Sequence, residues 1–477
     1  MFFIIRSQNE NKLDVPRMKH YNVVAIGTGS AMNIISALLS SGSDIKVAVV
    51  ENEMVGGICL TRGCIPSKML LYPAEVVKII ESAKKFGIDV EIKKIDFKSI
   101  MTHMRKSILT ESKMIERGLK SDPRIDLYQT VGEFIDDYTM KVGDEIITGD
   151  IFLLCSGSRP YIPPIENLEE VGYLTSKTFL QLKELPKSII IIGGGYIAAE
   201  YGHFLATMGS KVTIVGRNPQ FVPKEEPEIS ELLKRELSRY MTIVTGHEVV
   251  EVERRNGLKR VIAVNRETKE TVSFEAEEIL VAAGRRSNAD LLKPEKTGVK
   301  TDPKGWIIVN EYLETTKPNI WAFGDAIGKH QYKHVANYES QIVFYNAFTS
   351  HKIKVDYHAI PHAIFTYPEV ASVGMREAEA AKKYDILVGY SKYEDTAKGK
   401  AMRVKDYFVK VIAEKETMRI LGAHIIGPYA SILIREIINL MYAREQSALP
   451  IFQGMHIHPS LSEVVERAFY NLREPSK

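Results

Sequence analysis

Twice in this chain a short apolar run meets a cluster of glycines, passes into a helical stretch and returns as a second apolar run. That duplication restricts the fold more than any other feature. Asn22 to Ile26 reads as a buried strand followed by Gly27-Thr28-Gly29-Ser30-Ala31-Met32. The helical stretch carries Ile34, Ile35, Ala37, Leu38 and Leu39 and ends at Ser41-Gly42; Lys46 to Val50 is a second strand, closed by Glu51. Backbone N–H groups can approach a pyrophosphate at a helix N-terminus only where side chains do not obstruct them. An acid ending the second strand can accept hydrogen bonds from a ribose. The pattern recurs in Ser188 to Ile192, Gly193-Gly194-Gly195-Tyr196-Ile197-Ala198, and Lys211 to Val215. Two such units imply two dinucleotide sites, with Gly27, Gly29 and Glu51 at the first and Gly193 and Gly195 at the second.

Bulk numbers agree with a globular protein of several cores. A length of 477 residues suggests about three domains, and 45% hydrophobic with 26% charged residues is ordinary globular composition. The 63 basic and 60 acidic residues give a net charge of +3, so nothing marks a nucleic-acid or membrane-surface partner. Three cysteines in so long a chain argue against a disulfide-stapled secreted protein and for a reducing cytoplasm. The apolar patch Met1 to Ile5 is too short for a signal core or a membrane span. Residues 1–17 read as a tail, or Met18 is the true start.

Cys59 and Cys64 stand in Gly56-Gly57-Ile58-Cys59-Leu60-Thr61-Arg62-Gly63-Cys64-Ile65-Pro66-Ser67-Lys68, just after the first unit. That placement suits a redox disulfide which opens and closes in each turnover. The spacing alone also fits half of a zinc site, but no second cysteine pair completes four ligands. No metal is expected.

The whole run, glycines, cysteines and Ile-Pro-Ser-Lys tail together, resembles the active-site motif of the class I pyridine nucleotide–disulfide oxidoreductases. Matching motifs extend from about Val23 to Glu466. The resemblance implies an α/β protein with two Rossmann-like dinucleotide-binding domains, for FAD and NAD(P), plus a C-terminal α+β dimerisation domain. The expected boundaries are 18–160 for the first part of the FAD domain with the cysteine pair and 161–284 for the NAD(P) domain. Residues 285–355 would form the second FAD or central part, and 356–477 the interface domain.

The same resemblance assigns roles. Asp325, in Ile320-Trp321-Ala322-Phe323-Gly324-Asp325, would bind the ribityl or pyrophosphate region of FAD. Cys64 would lie against the flavin as the charge-transfer thiolate, and Cys59 would attack the substrate disulfide; nearby cations and a helix start should shift the pair toward thiolate. Lys68 would neighbour the flavin and pair with Glu200, and Tyr196 would cover the nicotinamide pocket or pack in the core. Cys155 reads as a buried filler, inert to redox chemistry. His458 and Glu463 match a His-Pro-x-x-x-Glu motif, in which the histidine moves a proton near neutral pH and the carboxylate fixes its tautomer. In relatives that histidine reaches the other subunit's cysteines, so a homodimer is expected.

The residue ending the second strand of the second unit is Gly216, followed by Arg217, where NAD-specific members carry glutamate. Removing the carboxylate removes repulsion toward a 2′-phosphate, and arginine can bind phosphate bidentately, so NADPH is favoured over NADH. Met32 replaces the glycine or alanine of the first fingerprint and should push its helix off the strand. Lys333-His334-Val335-Ala336-Asn337 is similar to a mycothione reductase run, whereas Ala37 and Leu38 stand where glutathione reductases place arginines. The expected activity is that of a dihydrolipoamide dehydrogenase acting on a small dithiol, with docking in a 2-oxoacid dehydrogenase complex as a further expectation. The alternatives are an NADPH-dependent reductase of another low-molecular-weight disulfide, and a non-catalytic flavoprotein subunit of a larger complex.

Overall fold

The computed structural model describes residues 18–42 and 44–475, so the expected tail at 1–17 lies outside the described residues. The chain folds as two compact units, each discontinuous in sequence. The first comprises residues up to Gly57, Ile115–Gly157 and Ser287–Lys354; the second comprises Ile58–Met114, Ser158–Arg286 and Val355 onward. One unit boundary falls after Gly157, and residues 58–114, with Cys59 and Cys64, belong to the second unit.

In the first unit, β1 (Lys19–Ile26), α1 (Ala31–Ser40) and β2 (Val47–Val50) form the expected βαβ element. Continuous apolar runs suit strands covered on both faces, and Val47, Ala48, Val49 and Val50 are all buried. The seven-stranded sheet runs Ile125–Tyr128, β2, β1, Glu145–Leu154, Thr139–Val142, Gly132–Asp136, with Ile320–Ala322 also on Glu145–Leu154. Pairing is parallel through β1 and β2 and antiparallel in the hairpins. The strand Glu145–Leu154 is long because its first half also joins the antiparallel hairpin.

The second unit begins its first long helix, α2 (Cys64–Ser82), at the second cysteine. It repeats the βαβ theme with β3 (Ser188–Ile192), α3 (Tyr196–Met208) and β4 (Lys211–Val215). These lie in a five-stranded sheet ordered β5 (Thr242–Val244), β4, β3, Glu278–Val281, Leu174–Thr175. A three-stranded antiparallel sheet follows: β6 (His247–Arg255), β7 (Leu258–Asn265) and β8 (Thr271–Ala276). After the three-stranded sheet come two short strands, Glu278–Val281 and Arg285–Ser287, with Gly284 at φ +129° between them. The C-terminal part is a five-stranded antiparallel sheet against which α4 (Ala430–Met441) and α5 (Glu463–Tyr470) pack.

Met32 is half-buried on α1. α3, with fully buried Ala198 at the corresponding position, lies close on β3 and β4. The close backbone approach of α1 is instead to the helix Lys333–Phe348. Among the described residues, no helix is long and apolar enough to cross a membrane.

Candidate active site

In the first unit the glycine turn and the acid meet as a nucleotide site requires. Gly27 has φ +97°, and a Cβ there would stand 2.4 Å from the Cys155 carbonyl oxygen, so only glycine fits. A Cβ on Gly57, at φ +70°, would lie 2.6 Å from the Cα of Gly29, which keeps the turn bare of side chains. Glu51 is buried at the end of β2; its Oε2 accepts from the Thr28 N–H at 3.0 Å and the Thr28 hydroxyl at 2.7 Å. Its Oε1 accepts from the Glu53 N–H at 3.0 Å.

Contacts the sequence reading did not find support this turn. Ser30 donates to Asn337 Oδ1 at 2.9 Å, and the Lys333 ammonium donates to the Ser30 hydroxyl at 2.9 Å. The Lys333–Asn337 run therefore has a physical role: it ties its helix to the glycine turn and brings a cation there. Asp325 is half-buried in the single turn Gly324–Ile327. Fully buried Glu339 accepts the Gly324 N–H at 2.6 Å and so holds that turn. A lone glutamate inside a helix gives no sequence signal of this kind. The bare glycine backbone, the buried acid at the end of β2 and the nearby cation fit a dinucleotide such as FAD.

In the second unit a Cβ on Gly193, at φ +131°, would lie 2.3 Å from the Ala282 carbonyl oxygen, whereas Gly195 faces open space. The turn therefore also admits a phosphate backbone. Tyr196 begins α3 and packs, half-buried, against the main apolar core. Gly216 is buried against Gly194, with its Cβ position 3.2 Å from the Cα of Gly194, and Arg217 is exposed beside it.

Cys59 and Cys64 are reduced thiols hydrogen-bonded to each other. The expected shift toward thiolate is not what Cys64 receives. Its hydrogen bond to Cys59 pushes its ionisation up, desolvation and the Cys59 charge add to this, and Lys68 pulls the other way. Cys64 is thus held as the protonated member of the pair. Cys155 follows its strand, and burial pushes its thiol far up, as expected of an inert filler.

Lys68 lies on α2 and Glu200 on α3, and small residues in the shared core (Ala74, Ala198, Ala199) let these helices pack closely. The ammonium donates to both carboxylate oxygens of Glu200 and lies 4.5 Å from the centre of the Phe365 ring. Glu200 also accepts from the Phe365 N–H at 3.0 Å. His458 is exposed, with Nδ1 2.9 Å from Oε1 of buried Glu463. The Ser460 N–H donates to Oε2 of the same carboxylate. The His458 hydrogen bond holds Glu463 below the usual carboxylate range, with burial opposing and Ser460 assisting. Nδ1 donates to the carboxylate, leaving Nε2 to exchange protons. Cys155 apart, each predicted side-chain pair is formed: Cys59 with Cys64, Lys68 with Glu200, His458 with Glu463.

Two glycine-turn nucleotide folds and a paired thiol set define a flavin-dependent disulfide oxidoreductase. The chain belongs to the pyridine nucleotide-disulphide oxidoreductase family: residues 21–341 match that family, and residues 360–469 match its dimerisation domain. The family is FAD-dependent and uses NAD(P)H as electron donor. The chain is 36% identical over 469 residues to mycothione reductase of Mycobacterium tuberculosis H37Rv, covering 96% of this chain and 100% of that one. It is 35% identical over 456 residues to dihydrolipoyl dehydrogenase of Chlamydia trachomatis, covering 93% and 95%. Among solved structures, the HOCl-induced flavoprotein disulfide reductase RclA from Escherichia coli superposes with a TM-score of 0.83 at 27% identity, covering 94% of this chain and 99% of that one.

Proposed function

We propose that this protein is an NADPH-dependent reductase of a small disulfide, working as a homodimer. The observation that carries the coenzyme choice, and with it the working direction, is Gly216 followed by exposed Arg217 at the end of β4. A dehydrogenase passing electrons from dihydrolipoamide to NAD is the second reading, favoured by the 35% identity to the chlamydial enzyme.

Bound FAD would carry two electrons from the nicotinamide to the Cys59–Cys64 disulfide. Gly27, Gly29, Glu51, Asp325 and Lys333 would hold it; Gly193, Gly195, Tyr196 and Arg217 would hold the nicotinamide coenzyme. Cleaving Cys59–Cys64 gives two sulfurs. Cys59 attacks the substrate disulfide and releases one thiol; Cys64 then attacks the mixed disulfide, releasing the second thiol and restoring the pair. Each leaving sulfur needs a proton, which His458 supplies through Nε2 while Glu463 stabilises the imidazolium. Lys68, oriented by Glu200, supplies positive charge at the dithiol. The homodimer reading is supported by apolar side chains left open on the second unit: Tyr72 is 67% exposed, Ile457 78% and Met455 101%, the last two flanking the His458 segment.

A steady-state panel tests this. Mycothione, glutathione disulfide, lipoamide and dihydrolipoamide are each run with both coenzymes in the matching redox state. The reductase reading predicts turnover of a non-lipoyl disulfide with NADPH preferred by about tenfold or more. Faster oxidation of dihydrolipoamide by NAD than reduction of any disulfide would select the second reading. Protein that cannot be loaded with flavin would discard both.

A further inference from the structure

Arg217 alone is a thin basis for recognising a phosphate, and the fold supplies a second guanidinium from a distant part of the chain. β4 and β5 run parallel, so Gly216-Arg217 and Thr245-Gly246 leave the sheet at the same carboxyl edge. β6 then turns away, and β7 returns antiparallel with Asn265 opposite His247. This register brings the β7–β8 turn, residues 266–270, back to the edge where the coenzyme turn lies.

Backbone hydrogen bonds fix that approach. The Gly246 N–H donates to the Asn218 carbonyl at 2.8 Å, His247 to Gly216 at 3.0 Å, and Arg266 to Gly246 at 2.9 Å. The Arg266 guanidinium donates to the Arg217 carbonyl through Nη1 at 3.5 Å. Lys269 steadies the turn by donating to the Arg266 carbonyl at 2.7 Å. The Arg266 side chain is 53% exposed, and its ion-pair neighbour, Glu248, lies 3.9 Å from Nε and is equally open to water. Such a loose, solvated pair holds the guanidinium weakly. A dianionic phosphate would compete for it on favourable terms, because charge-assisted bonds from two guanidinium forks are stronger than one long contact to a carboxylate.

We propose that Arg266 is a second specificity determinant, closing with Arg217 on the 2′-phosphate of NADPH. The inference rests on the NADPH reading above. Arg266 acts at the adenosine end, so it should alter coenzyme KM and not kcat.

Binding of adenosine 2′,5′-bisphosphate and of 5′-AMP to the flavin-loaded protein, measured by calorimetry, tests this without turnover. Arg266→Ala should weaken the bisphosphate about tenfold or more and leave 5′-AMP within about twofold, with Arg266→Lys in between. Arg255→Ala, at the opposite end of β6, removes the same charge and should change neither ligand. If Arg266→Ala behaves like Arg255→Ala while Arg217→Ala loses the preference for the bisphosphate, the role of Arg266 is overturned and the NADPH reading stands. If the unaltered protein binds the two ligands equally, both fall.

Discussion

The Lys68 ammonium stands 2.9 Å from each carboxylate oxygen of Glu200, although 132 positions separate them in the chain. Their surroundings differ: the Lys68 side chain is 37% exposed, while that of Glu200 is 6% exposed. Removing the cation strands a buried carboxylate, whereas removing the carboxylate leaves an ammonium that water can reach. Lys68→Ala should therefore cost about 2 kcal/mol and Glu200→Ala about 1 kcal/mol, the usual buried-pair cost being reduced by the exposure of Lys68. Urea unfolding midpoints of the two variants check the order; equal losses would show that burial does not control the pair.

The proton shared by the cysteines has a chemical signature. In NADPH-reduced protein at pH 7, one sulfur should react rapidly with iodoacetamide and the second only in strongly alkaline solution, because the thiol pair holds Cys64 protonated. Peptide mapping should find the fast label on Cys59. Rapid labelling of Cys64 would show that flavin or Lys68 outweighs the hydrogen bond to Cys59.

His458→Ala should slow disulfide turnover by about 100-fold while leaving flavin reduction by NADPH unchanged, since proton transfer belongs to thiol exchange. Glu463 stays ionised through neutral pH because the His458 hydrogen bond lowers its ionisation. Glu463→Gln removes the charge that stabilises the imidazolium, so disulfide turnover should fall by about tenfold while flavin reduction is unchanged. Unchanged turnover in Glu463→Gln would contradict this orientation of the pair.

Acid stability turns on a different histidine. His203 on α3 is 1% exposed, with Nδ1 2.8 Å from the Tyr240 hydroxyl. Burial, with Lys78 assisting, pushes its ionisation down to about 3 from an ordinary 6.5. The unfolded imidazole takes a proton that the folded one refuses. The stability tied to this group is therefore complete above pH 6.5 and lost as pH falls toward 3, at about 1.4 kcal/mol per unit. Between pH 6 and 5, His203→Gln should lose less unfolding free energy than the unaltered protein by about that amount; parallel losses would exclude the mechanism.

Much of the site was legible because its chemistry depends on local spacing. Gly27, Gly29 and Glu51 belong to one βαβ unit, Cys59 and Cys64, five residues apart, to two successive helices, and His458 and Glu463 to one loop and helix start, so each set could be read in order. What stayed hidden is long-range. Glu339 supports the Asp325 turn, and Arg266 reaches Arg217 only through the register of an antiparallel sheet, which leaves no mark at either residue. The expected thiolate shift failed for a related reason. The cation was read correctly, but the sulfur–sulfur hydrogen bond that opposes it is a matter of geometry.

The most direct measurement is a thiol count on denatured, flavin-loaded protein before and after anaerobic NADPH. Of the three cysteines, Cys155 should be the single reactive thiol in the oxidised protein, and all three should react after reduction. A gain of two thiols that disappears in Cys64→Ser is the predicted result. Full flavin reduction with no gain in thiols would contradict electron relay through Cys59 and Cys64.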